Sequence, residues 1–234
     1  MEIAGTRVLV TGATGVLGSG LVDALWQAKA NVALAGRDRQ RLTRASAHYG
    51  DAPTLQFDAM DLERCSELAA EAAGTLGGLD AVVVAHGIAA FGAATDEDDA
   101  DNEQLMLVNA LSPMAVLRGA VPHVGPGGTL AAISAVLVDT PTAGMAAYSA
   151  SKAALSAWLS ALRGELRRRK VSVLDIRAPH MATGLVERPI AGSPPRVLPR
   201  PFDQHEFFAT VLKALGDRTA VLHYDAKERS LQPA

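Results

Sequence analysis

Residues 7–11 read Arg-Val-Leu-Val-Thr and run directly into Gly12-Ala13-Thr14-Gly15-Val16-Leu17-Gly18, after which an amphipathic stretch continues to residue 29. A short apolar strand must therefore turn at once into a helix. Glycines three apart let the backbone turn tightly and be approached closely. A strand leading into a helix returns to its own sheet by a right-handed crossover, so this opening commits the chain to parallel βαβ units. The helix start also presents free N–H groups and partial positive charge, the local chemistry of a pyrophosphate site. The expected cofactor contacts are Gly12, Thr14, Gly15, Val16, Leu17 and Gly18.

The rest of the chain repeats the alternation. Strands are expected at 31–35, 54–57, 80–85, 129–134, 171–176 and 220–224. Helices are expected at 39–49, 62–75, 103–121, 144–169 and 202–215, from periodicity and turn residues. This is an α/β fold: one Rossmann-like domain over 1–234, a doubly wound parallel sheet with helices on both faces. Residues 178–201 hold six prolines, so a loop is expected there. In such sheets ligands lie beyond the carboxyl ends of the strands, at the switch in strand order. Thr11, Ala85 to Gly87, Ser134 and Arg177 to His180 all fall at such ends.

Composition narrows the function. A net charge of −3 argues against a nucleic-acid surface, and one cysteine, Cys65, rules out a disulfide framework and fits a reducing, cytoplasmic setting. No apolar run is long enough to span a bilayer. No metal is expected. The basic run at 167–170 reads as the end of a long helix, where cations favour the dipole.

The second strand bears on the nucleotide. It ends Ala35-Gly36-Arg37-Asp38. Arg37 is a planar, permanent cation suited to a ribose 2′-phosphate, whereas an acid in that place would hold a 2′-hydroxyl. Asp38 either repels the phosphate or caps the next helix. The arginine favours NADP, with NAD as the alternative.

Tyr148 and Lys152 are four residues apart in a helical segment, which stacks them on one face. There an ammonium would lower the phenol's pKa from about 10 toward the working range, and such a tyrosine can pass a proton to a carbonyl oxygen.

With the glycine loop and this pair in place, the chain resembles the short-chain dehydrogenase/reductase family from Thr11 to about Thr183. The resemblance implies that Tyr148 is the general acid in carbonyl reduction and the base in the reverse direction. Lys152 would hold the nicotinamide ribose, and Asn109 would anchor a water leading to it. By the same resemblance Asp58 and Ala59 meet the adenine, Ala85 and Gly87 approach the cofactor, and Pro179 and Thr183 reach the nicotinamide or the phosphates. It also implies a homodimer or homotetramer built on the helices at 103–121 and 144–169.

Four places depart from the family pattern. The glycine spacing is that of its larger, extended members. The substrate-orienting serine belongs thirteen residues before the tyrosine, where this chain has Ala135. Ser134 is adjacent, and one residue along a strand reverses the side chain; either the loop at 136–144 carries an extra residue and Ser134 serves, which is the expectation, or the serine is absent. His86 and His180 stand where the family has small residues. His86 is expected to be structural, with a substrate role as the alternative, and His180 is a candidate substrate contact or proton donor. The segment at about 180–201 occupies the position of a substrate lid, and Leu185, Val186 and Ile190 would line it for an apolar substrate.

The expected activity is NADP-dependent interconversion of a carbonyl and an alcohol. Two alternatives stand: a catalytically weak NADP-binding sensor or partner protein, and reduction of C=C or C=N with the histidines as donors.

Overall fold

The computed structural model describes residues 2–234. β1 (Arg7–Thr11), β2 (Asn31–Gly36), β3 (Thr54–Gln56), β4 (Leu79–Val84), β5 (Val124–Ile133), β6 (Ser172–Ile176), β7 (Val221–Asp225) and β8 (Ser230–Pro233) form a single sheet in the order β3-β2-β1-β4-β5-β6-β7-β8. All pairings are parallel except β7 with β8. The order reverses between β1 and β4, which places the crevice at Thr11 and Ala85.

The helices are α1 (Val16–Gln27), α2 (Arg39–His48), α3 (Leu62–Leu76), α4 (Asp99–Met106), α5 (Ser112–Ala120), α6 (Ala146–Leu166) and α7 (Gln204–Asp217). Alternation along the strands feeds two cores. Val8 and Val10 on one face pack with Leu21 and Leu25 of α1 and Phe207 and Val211 of α7. Leu9 on the other face joins Leu68 of α3, Val116 of α5 and Leu155 of α6. Each fully buried Leu or Phe contributes about 1.5–3 kcal/mol, and strands apolar on both faces can be satisfied only by helices on both.

Three elements differ from the sequence expectation. The helix expected over 103–121 is α4, a π-helical turn (Leu107–Leu111) and then α5. Pro113 lies within the first two positions of α5. It has no N–H to give the carbonyl of Asn109, so the ladder loses a bond there and widens. The Gly125–Gly128 stretch does not end β5's pairing with β4 but shifts its register, between Leu79 and Ala81, with Gly127 at φ +96°. β8 has no counterpart in the expectation. It returns against β7 after a turn in which Asp225 accepts the N–H groups of Lys227 and Glu228 at 2.8 and 3.0 Å.

Candidate active site

Helix starts show where an anion would be received. α2, α3, α4 and α7 are each capped by an aspartate: Asp38, Asp61, Asp98 and Asp203. α1 is different. Its cap is Gly15, with no side-chain bond and no acid in the first turn, which leaves its N–H groups for a ligand. The glycines are required by space. Gly12 is at φ +69°, and a Cβ there would lie 2.7 Å from the main-chain nitrogen of His86. A Cβ on Gly18 would lie 2.1 Å from the Gly12 carbonyl oxygen. Gly15, Val16 and Leu17 line the outer side of the loop, with Gly15 and Val16 exposed.

Arg37 is exposed just beyond β2, and its carbonyl accepts the side-chain amide of Gln56 at 3.1 Å. Asp38 caps α2 through the Arg41 N–H at 3.0 Å, which answers the question its position raised. Arg41, not anticipated from the sequence, donates from its guanidinium to the Thr14 carbonyl. Asp58 is exposed beyond β3 and accepts the Met60 N–H at 2.9 Å, and Ala59 packs on the second core.

Beyond β4 the Ala85 N–H donates to the Thr11 carbonyl at 3.1 Å. His86 is held at both ring nitrogens, Nδ1 2.8 Å from Thr11 Oγ1 and Nε2 2.9 Å from Ser112 Oγ. Ser112 also meets Cys65 Sγ at 3.2 Å. Burial, and then the charge of Lys152, push this imidazole down to about 3, so it is neutral at working pH. It is a structural crosslink between β1, β4 and α5, through side chains.

Asn109, in the π-turn, grips Ile88 at both ends. Its Oδ1 accepts the Ile88 N–H and its Nδ2 donates to the Ile88 carbonyl, each at 2.9 Å. Nδ2 also reaches Ser151 Oγ at 3.1 Å, and that hydroxyl donates to the Tyr148 carbonyl at 2.8 Å. A Cβ on Gly87 would lie 3.0 Å from Asn109 Oδ1 and 3.2 Å from Lys152 Nζ. Gly87, Asn109 and Lys152 thus converge on one point. Lys152 is buried and donates to the Ile133 carbonyl at 3.1 Å. Burial lowers its pKa to about 8, against an opposing pull from Asp175.

Tyr148 is 7% exposed and sits in an apolar cluster with Ala89, Phe91, Leu105 and Ala135. Burial pushes its phenol up to about 12. The sequence expectation was the reverse, a phenol lowered by Lys152. Desolvation of the ring in an apolar cluster is the larger effect, and the ammonium is directed at Ile133.

Ser134 and Ala135 divide as the strand alternation requires. Ser134 is buried on the far side and donates to Asp175 Oδ1 at 2.5 Å. Ala135 is the residue in the tyrosine cluster. The expected extra loop residue does not bring the Ser134 hydroxyl there.

Leu185, Val186 and Ile190 pack against the same cluster. Two main-chain bonds fix this wall: Ile190 N–H to Ala89 O at 2.9 Å and Phe91 N–H to Ala191 O at 3.0 Å. Pro179 is buried, the His180 carbonyl accepts the Phe202 N–H, and the Thr183 N–H donates to Met181, both at 2.8 Å. No helix among the described residues is long and apolar enough to cross a membrane.

A bare helix start at a strand-order switch, beside a buried tyrosine and lysine one turn apart, defines a dinucleotide-dependent oxidoreductase of the Rossmann type. The chain belongs to the short chain dehydrogenase family, whose sequence model matches residues 6–191. An uncharacterised oxidoreductase of Methylorubrum extorquens is 29% identical over 82% of this chain and 80% of its own. A short-chain oxidoreductase of Thermus thermophilus superposes with a TM-score of 0.76 at 32% identity, over 90% of this chain and 96% of its own. A short chain dehydrogenase of Burkholderia cenocepacia, solved in complex with NADP, gives 0.82 at 25% identity over 92% of both chains.

Proposed function

We propose that this protein interconverts an apolar ketone or aldehyde and its alcohol with NADP(H), Tyr148 acting as general acid in reduction and general base in oxidation. The observation that carries the reading is the seclusion of Tyr148 among apolar side chains, under a wall formed by Leu185, Val186 and Ile190. The uncapped α1 start and the space kept at Gly12 and Gly87 fit a dinucleotide, the solved Burkholderia relative holds NADP, and Arg37 is free to meet a 2′-phosphate. Bound NADP(H) supplies or accepts the hydride.

The chain's own part is positioning and proton handling. Gly12, Thr14, Gly15, Val16, Leu17 and Gly18 receive the phosphates; Asp58, Ala59, Ala85, Gly87, Pro179 and Thr183 border the rest of the cofactor. Lys152 places a cation one helical turn from the phenol, and Asn109 clamps Ile88, the residue after Gly87. The apolar wall excludes water and selects a substrate without charge, and His180 is its candidate polar substrate contact. Residues 180–201 act as its lid. The reading is of a cytoplasmic homodimer or homotetramer, supported by the exposure of Met106 and Leu111, at 37% and 44%, on the 103–121 segment, one of the two expected to meet a second copy.

The test is NADPH oxidation over a panel of apolar ketones and aldehydes. Turnover should fall about 10²–10⁴-fold in Tyr148→Phe; unchanged turnover in that variant would refute the mechanism. Ala135 supports a second reading, an NADP-binding sensor of low activity, because no hydroxyl joins Tyr148 at the reacting oxygen. Tight NADPH binding with no turnover on any carbonyl would select it.

A further inference from the structure

Lys152 is followed one turn later on α6 by Ser156, so Tyr148, Lys152 and Ser156 form a row on one face of the helix. The Ser156 hydroxyl does not face solvent. It donates to Asp175 Oδ2 at 2.6 Å, and Ser134 donates to Oδ1 of the same carboxylate at 2.5 Å. Asp175 lies in β6 and is 1% exposed. Arg177 Nε approaches Oδ2 at 3.1 Å, Arg177 Nη2 reaches Ser156 Oγ at 3.3 Å, and Arg177 Nη1 is engaged by Asp139 at 2.5 Å. Three donors, from the end of β5, from α6 and from the end of β6, therefore converge on one buried acid, and Ser134 is the link. Its neighbour Ile133 gives Lys152 its carbonyl acceptor, while its own hydroxyl is bound to the acid.

Such a site is costly. A buried carboxylate is retained only when its lone pairs are satisfied and a cation answers its charge. Arg177 answers it in part, since that guanidinium is shared with the half-exposed Asp139. The remaining charge is felt at Lys152, where it opposes the effect of burial. The charged and titratable groups that bear on Lys152 are Tyr148, one turn away on its own helix, His86 from the end of β4, and Asp175 from β6; Arg177, just past β6, pairs with Asp175, and Arg163, also on α6, senses both. Among these, Asp175 alone is a carboxylic acid.

We propose that Asp175 is a positioning residue, a fixed buried counter-charge, oriented by Ser134, Ser156 and Arg177, that keeps the Lys152 ammonium charged beside Tyr148. This rests on the catalytic reading above for its purpose but not for its measurement. A buried lysine without an acid near it sheds its proton within the working range. Asp175 would then set the alkaline limit of activity.

The protein has five lysines, Lys29, Lys152, Lys170, Lys213 and Lys227, so lysine labelled with carbon-13 at Cε gives few signals, and that of Lys152 is identified by its loss in Lys152→Arg. Its titration is followed by NMR in the full chain without cofactor or substrate. In Asp175→Asn the Lys152 midpoint should fall by about one pH unit or more. In Arg177→Gln, which removes the competing cation, it should rise. Wherever the enzyme turns over, the alkaline limb of kcat moves down in Asp175→Asn by the same interval. A folded Asp175→Asn with an unmoved Lys152 midpoint overturns the proposal. Should that variant not fold, an unmoved or lowered midpoint in Arg177→Gln does so. Absence of NADPH turnover in the wild type strikes the catalytic reading and leaves these midpoints readable.

Discussion

Ala135 packs in the cluster that holds Tyr148, while the hydroxyl of the preceding Ser134 is bound to Asp175 on the opposite side of the chain. The reacting oxygen of a substrate would therefore meet the phenol without a second hydroxyl donor. A hydrogen-bond donor at such an oxygen is worth about 10²–10³-fold in rate. Ala135→Ser is expected to raise kcat for NADPH-dependent ketone reduction at least about tenfold, measured at saturating substrate. A lower kcat in that variant would show that the methyl is needed for packing.

The glycine loop gives a steric prediction. In Gly18→Ala the new methyl would lie 2.1 Å from the Gly12 carbonyl oxygen and 2.6 Å from its carbon. Both are main-chain atoms, so the loop must move. Overpacking of this kind costs about 1–3 kcal/mol. A lowered Tm together with weakened NADPH binding, read by nucleotide fluorescence, is expected.

Nucleotide choice turns on Arg37. A charged contact to a 2′-phosphate contributes about 1.5–3 kcal/mol. Arg37→Ala should therefore raise the Kd for NADPH about 10–100-fold and leave that for NADH within about twofold. Equal losses for both nucleotides would remove Arg37 from the phosphate site.

His86 predicts acid sensitivity. Its folded pKa of about 3 lies below the ordinary 6.5. Between these values the unfolded chain binds a proton that the folded chain does not, so stability is lost as pH falls. The loss begins near pH 6.5 and continues toward pH 3, at up to about 1.4 kcal/mol per pH unit from this group. Denaturant melts at stepped pH should show that slope in the wild type and a flatter one in His86→Ala. The variant should also be less stable at pH 8, because Thr11 and Ser112 lose their partner.

Much of this was legible in the chain. β1 and the start of α1 fall at their expected residues, because a β-branched run followed by spaced glycines admits few alternatives. Tyr148 and Lys152 lie one turn apart as their spacing requires. What failed was whatever depends on neighbours distant in sequence. The phenol's pKa is set by Phe91, Leu105 and the 185–190 wall, which nothing local to Tyr148 announces. Ser134 could be assigned to a face only once Asp175 was known to lie opposite. β8 escaped notice because four residues with a single buried side chain, Leu231, carry almost no periodic signal. Arg41 was passed over because its partner is a carbonyl, and carbonyls leave no mark in a sequence.

The widened turn at Leu107–Leu111 carries its own consequence. It offsets α5 by about one residue from the phase α4 would have imposed, roughly 100° of rotation. Asn109 can thus point at Ile88 while Val116 and Ala120 still reach the sheet. Removing any single residue from that turn would regularise the spiral and force a choice: either the amide leaves the strand end it clamps, or the apolar stripe behind it swings into water.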